Sequence, residues 1–184
     1  MRSFRMTNAG WAGALALAAG MLAGGAGTAA AQRSDAAILG EEAAGNRGEV
    51  LIGNWVAAHA QRPAVRTYAR TLVRDHGAGL RQVQAAARRI HVTPQASAGA
   101  DKMRESQDAL NLLKGKHGAE LDAAFVQHEI EDHRQDIADA QKAHDEAHSA
   151  AVKTLLANTM PVLRRHLRQA EALQAAHPAA ARHR

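Results

Sequence analysis

Apolar residues recur at helical spacing in four separate stretches, and no stretch alternates with the period of two that a strand requires. Helix A is expected over about Asp35 to Ala60, with Ile38, Ile52, Val56 and Ala60 on one face. Helix B begins at Pro63, where a missing N–H costs nothing, and turns Val65, Leu72, Val83 and Ile90 inward. Helix C spans about Gly118 to Ala143, with Val126, Ile130, Ile137 and Ala140 in line. Helix D follows Ser149, a side chain suited to capping, and presents Val152, Leu156, Leu163 and Ala170. Pro161 lies inside helix D and is expected to kink it or open one turn. The apolar share of 46% with only 3% aromatic residues fits Ala-rich and Leu-rich helices better than strands.

The connections constrain the fold further. A to B and C to D are short, so each pair forms an antiparallel hairpin. B to C takes about 25 residues, with a short helix expected around Asp101–Leu113. Two hairpins joined by one long crossover describe an all-α, ferritin-like four-helix bundle.

The ends have a different composition. Arg2 and Arg5, the apolar run Ala9 to Ala23 and the Ala29-Ala30-Ala31 sequence have the order of a cleaved secretory signal over residues 1–31. The run is shorter than the roughly 18–20 residues that span a bilayer, so no transmembrane segment is expected. The bundle domain then covers residues 32–176, and 177–184 form a flexible tail. Periplasmic or secreted location follows. The 184-residue chain has no cysteine, which excludes disulfides, thiolate metal sites and Cys nucleophiles. Loss of two signal arginines reduces the formal charge from +5 to +3. That remainder divides into +4 over 32–100, −6 over 101–150 and +5 over 151–184, which does not call for nucleic acid.

Each helix carries one titratable residue on its apolar stripe: Glu49, His76, His133 and His166. Burying such groups without a partner costs several kcal/mol, so the four are expected to meet something. Counted from the turns at 1.5 Å per residue, all four fall near mid-bundle. One carboxylate and three neutral imidazoles suit a single Zn, Fe, Mn or Cu ion. A metal-free Glu/His hydrogen-bond network in a non-enzymatic envelope module uses the same geometry, as does a response to acid near pH 6.

Four motifs carry a resemblance. They are Asn46-x-x-Glu49, Val65-x-x-Tyr68-Ala69-x-x-Leu72-Val73-x-Asp75-His76, Leu121-Asp122-x-x-Phe125 with Asp132-His133, and Met160-Pro161-x-Leu163-x-x-His166-Leu167. Together they resemble the domain-of-unknown-function 4142 family over about residues 35–174. The resemblance implies an exported ferritin-like helical bundle, often labelled an outer membrane protein, whose pattern marks the same Glu and three His. It implies no reaction. Working di-iron bundles use Glu-x-x-His on two helices. Val73 and Leu163 stand where those glutamates would be, so one ion is expected at most and no catalytic residue is assigned.

Other signals have plainer explanations. His144-Asp145-Glu146-Ala147-His148 is expected to be a solvated C–D turn. Arg62, Arg66, Arg70, Arg74, Arg81 and Arg88 line helix B and are expected to pair with Glu129, Glu131, Asp132, Asp136 and Asp139 of helix C. Arg66, Arg70 and Arg74 also offer weak contact to an anionic envelope surface. Trp55, Tyr68 and Phe125 are expected in the core, too dispersed for a base-stacking platform.

Overall fold

A computed structural model describes residues 33–176, so the signal read over residues 1–31 and the tail over 177–184 lie outside the described residues. Regular structure within this range is entirely helical: α1 (Asp35–His59), α2 (Pro63–Arg89), α3 (Ala100–Lys114), α4 (Gly118–Glu146) and α5 (Ala150–Ala175). Helices A, B, C and D are α1, α2, α4 and α5. A 3-10 turn at Ala96–Gly99 leads into α3. No described helix is long and apolar enough to cross a membrane.

Local chemistry sets the helix ends. Ser34 Oγ accepts from Ala37 N, and Ser149 Oγ accepts from Val152 N, so both hairpins have a hydroxyl cap where a helix starts. The α2 helix ends with His91 at φ 56°, a left-handed residue that lets Val92 N reach back to the Ala87 carbonyl at 3.0 Å. The α5 helix continues through Pro161 without interruption.

Helix neighbours follow from which faces are apolar. The α1–α2 and α4–α5 hairpins are each extensively packed, and α2 lies against α5. The α1 and α4 helices touch only lightly, and α3 covers that side by packing on α1. This approach needs small residues: a Cβ on Gly48 would stand 2.0 Å from Ser106 Oγ of α3. Lys102 then reaches across to Asp136 at 2.8 Å and Asp139 at 3.3 Å on α4.

That arrangement overturns the expected pairing of the α2 arginines with the acids of α4. Arg62 and Arg66 donate to backbone carbonyls, Arg74 pairs with its neighbour Asp75, and Arg81 donates to the Gly77 carbonyl. The two helices are not adjacent, and Lys102 of α3 takes Asp136 and Asp139 instead. Trp55 also departs from expectation: it is only half-buried and stacks on His59, whereas Tyr68 and Phe125 are core residues.

The two hairpins are clasped reciprocally. Asp122 of α4 accepts from Gln61 N at 2.8 Å and Arg62 N at 2.7 Å, in the turn between α1 and α2. Asp35 of α1 accepts from His148 N at 2.8 Å and Ser149 N at 2.9 Å, in the turn between α4 and α5. Asp35 and Asp122 are as far apart in sequence as Gln61 and His148, so the hairpins repeat one capping device. Each turn is therefore finished by the other hairpin. Asp122 is fully buried, so Asp122→Ala should leave two amides without acceptors and cost about 2–4 kcal/mol. The more accessible Asp35→Ala should cost about 1 kcal/mol; urea midpoints of the two variants check the order.

Candidate metal centre

Two apolar clusters occupy opposite ends of the interior. One gathers Ile52, Val56, Leu72, Leu121, Phe125 and Ile130, the other Ile38, Leu39, Val83, Val152, Leu156 and Leu163. A polar layer separates them. Glu49, His76, Glu129, His133 and His166 are all buried there, although charged groups almost never lie buried unless paired.

The three imidazoles converge. Their ring centroids are 5.2 to 5.8 Å apart, and one nitrogen from each lies within 4.8 Å of one from each of the others. His133 Nε2 and His166 Nδ1 are 3.2 Å apart. Glu49 comes in from α1, with Oε2 4.0 Å from His76 Nε2. The four stripe residues therefore share one layer.

Each imidazole has its outer nitrogen held by an acceptor. His133 Nδ1 faces the Glu129 carbonyl at 3.0 Å, one helical turn back. His166 Nε2 faces Asp75 Oδ2 at 3.0 Å. His76 Nδ1 faces Asn46 Oδ1 at 3.1 Å, and Asn46 Nδ2 donates to the Glu42 carbonyl at 2.7 Å, which fixes the amide orientation. For neutral rings the three outer nitrogens then carry the proton, and His76 Nε2, His133 Nε2 and His166 Nδ1 are the lone-pair atoms on the inner side. His76 Nε2 and Glu49 Oε2 are buried without a hydrogen-bond partner.

Electrostatics keep the rings neutral. Burial pushes His76 well below the ordinary His value, and the neighbouring His133 and His166 add to it. Burial and His166 lower His133 to about 4. His166 is also lowered by burial, against the opposing pull of Asp75. Asp75 behaves oppositely: burial works to raise it, but hydrogen bonds from Arg74, His166 and Arg165 hold it below the usual carboxylate range.

The carboxyls of the layer are driven the other way. Burial, then the charges of Glu129 and Asp132, raise Glu49 well above the ordinary value. Burial, then Asp132 and Asp136, do the same for Glu129. The Glu129 carboxyl lies beside the Tyr68 hydroxyl, and its Oε2 is 3.4 Å from His133 Nδ1, but neither oxygen has a well-aligned hydrogen bond; the Tyr68 hydroxyl donates to the His166 carbonyl at 3.2 Å. Glu129 thus belongs to the interior rather than to the solvated acidic face assigned to it from sequence.

Adjacent residues on a helix point about 100° apart. That angle explains why Asp75 and His76 serve different neighbours: His76 turns to Asn46 of α1 and Asp75 to His166 of α5. The Asp-His pairs at 75–76 and 132–133 and the Asn46-x-x-Glu49 spacing were the available signals for these supporting groups. Space for Asn46 comes from Gly79, where a Cβ would stand 2.2 Å from Asn46 Oδ1. The segment expected as a turn divides: His144, Asp145 and Glu146 form the end of α4, and Ala147 and His148 belong to the link before Ser149.

The sequence pattern of the family described as Domain of unknown function (DUF4142) matches residues 20–173. No curated protein and no solved structure matches the chain.

Glu42 lies beside the layer, and its carboxyl is raised from 4.5 to about 7 by burial and Asp136, against the pull of Lys102. Between these values the folded protein holds a proton that the unfolded chain has released. Stability should therefore fall as pH rises through this window and stay lower above it. Glu42→Gln should remove that part of the fall and gain about 1–3 kcal/mol at pH 8 relative to pH 4. Glu49 and Glu129 act in the same direction in both proteins, so the difference between their urea-unfolding curves isolates Glu42.

Proposed function

The chain belongs to the family described as Domain of unknown function (DUF4142), which names no activity, and we propose that it is an exported metal-binding protein built as a ferritin-like bundle. The resident ion is one divalent transition metal, held by His76, His133 and His166 with Glu49 as the fourth ligand. The chain's role is metal handling or envelope stress.

One observation carries this proposal: three imidazoles converge with an acceptor at the outer nitrogen of each, which for neutral rings turns three lone pairs inward. Lone pairs in that arrangement repel unless a cation lies among them. Metal-ligating histidines are commonly oriented by an outer acceptor in this way. Two ligands each about 2.0–2.1 Å from a tetrahedral ion stand about 3.3 Å apart, close to the 3.2 Å between His133 and His166. Imidazole and carboxylate donors without thiolate suit Zn²⁺, Fe²⁺, Mn²⁺ or Cu²⁺. The alternative is a metal-free network in which His166, paired with Asp75, takes an extra proton and donates it to His133. On the outer face, Arg66, Arg70 and Arg74 are the side chains we assign to weak contact with anionic envelope material.

Chelator-stripped full-length protein titrated with Zn²⁺ separates the two. At a hundred times Kd, bound metal adds about 2.7 kcal/mol, or roughly 5–10 °C in Tm for a domain of this size. The His76→Ala/His133→Ala variant should lose that shift. Asn46→Ala, which frees the His76 ring without removing a ligand, should weaken binding about 10–100-fold. An unchanged Tm in the unsubstituted protein would establish the metal-free network instead.

A further inference from the structure

The interior offers more ligand atoms than one ion uses. Two triads overlap: His76, His133 and His166 form one, and Glu49, Asp132 and His133 form the other, each with ligand atoms within 4.8 Å. The second triad faces the side covered by α3. A small cavity there, about 50 Å³, is lined by Glu49, Lys102, Glu105, His128, Asp132 and Asp136, among others. That volume holds an ion with a water or two.

Charge in this cavity is unbalanced. Glu105, Asp132 and Asp136 face it with Lys102 as the lone ammonium, Lys102 is already spent on Asp136 and Asp139, and the Glu49 carboxyl adds a further oxygen donor. Glu49 is 4% exposed, lines the cavity, and has its Oε2 without a hydrogen-bond partner. His128 Nε2, on the same wall, is also buried and unpartnered. The Glu49 carboxyl lies against that of Asp132 as well as beside His76. It therefore stands between the imidazole cluster and the cavity.

We propose a second cation position beneath α3, ligated by Asp132 and Glu49, with His128 Nε2 and water completing its shell. It rests on the metal site proposed above, with Glu49 shared between the two positions. Its donors are mainly oxygens, so it takes a hard divalent ion of the Mn²⁺ or Mg²⁺ class, while the imidazole position takes the softer one. Lys102, whose ammonium is attracted by Asp132 from the same cavity, opposes a cation there.

Mn²⁺ tests this directly. Chelator-stripped full chain is loaded with one equivalent of Zn²⁺, and further Mn²⁺ uptake is followed from the electron paramagnetic resonance of the free ion. The expected result is one Mn²⁺ bound beyond the Zn²⁺. Asp132→Asn should weaken Mn²⁺ at least 10-fold while Zn²⁺ uptake, which doubles as the folding control, is retained. Lys102→Met should tighten Mn²⁺ several-fold. Zn²⁺ bound without any Mn²⁺ uptake, or Mn²⁺ affinity indifferent to both substitutions, overturns the second position and leaves the first intact. Absence of Zn²⁺ binding in the unsubstituted protein overturns both.

Discussion

A polar atom taken out of water has to find a partner inside the protein, and six carboxyl and imidazole side chains are buried among the described residues. Glu49, Glu129 and three histidines cross the interior as one layer. Around that layer the rest is arranged: Asp75, Asn46 and the Glu129 carbonyl are the acceptors that pin the rings. Gly79 makes the space for one of them, and Tyr68 is drawn to the carbonyl of His166. Remove the outer acceptors and each imidazole is free to turn its proton inward to satisfy a neighbour; with them in place, a neutral ring keeps it on the outer side.

The helices were legible because their signals are local. Pro63 and Ser149 mark starts, and the apolar stripes mark faces, each within a few residues of the feature it specifies. The inward residues Glu49, His76, His133 and His166 were legible for the same reason, since each interrupts a stripe. What could not be read was which helix stands beside which. The α2 arginines and the α4 acids look complementary on paper, but α2 has α1 and α5 as neighbours, and α3 intervenes with Lys102. Glu129 is not on the Val126–Ile130–Ile137 line because the buried stripe of α4 is wider than that line: Phe125 and Glu129 extend it by one row beside His133.

Asp75 and Asp132 show the same limit at finer scale. Each follows its own helix's geometry, but its purpose depends on a residue of another helix. A carboxylate beside a buried histidine reads as surface until the partner across the interface is known. Asp75 then becomes the group that fixes His166, and Asp132 a wall of the cavity under α3.

The reciprocal aspartates have a consequence for how the halves of the chain relate. Neither hairpin can finish its own turn, because the acceptor for that turn's amides belongs to the other. Each half is thus an incomplete object with a ready-made address for its counterpart. Cutting the link between α2 and α3 would leave two pieces that recognise one another by their ends as well as by their apolar faces.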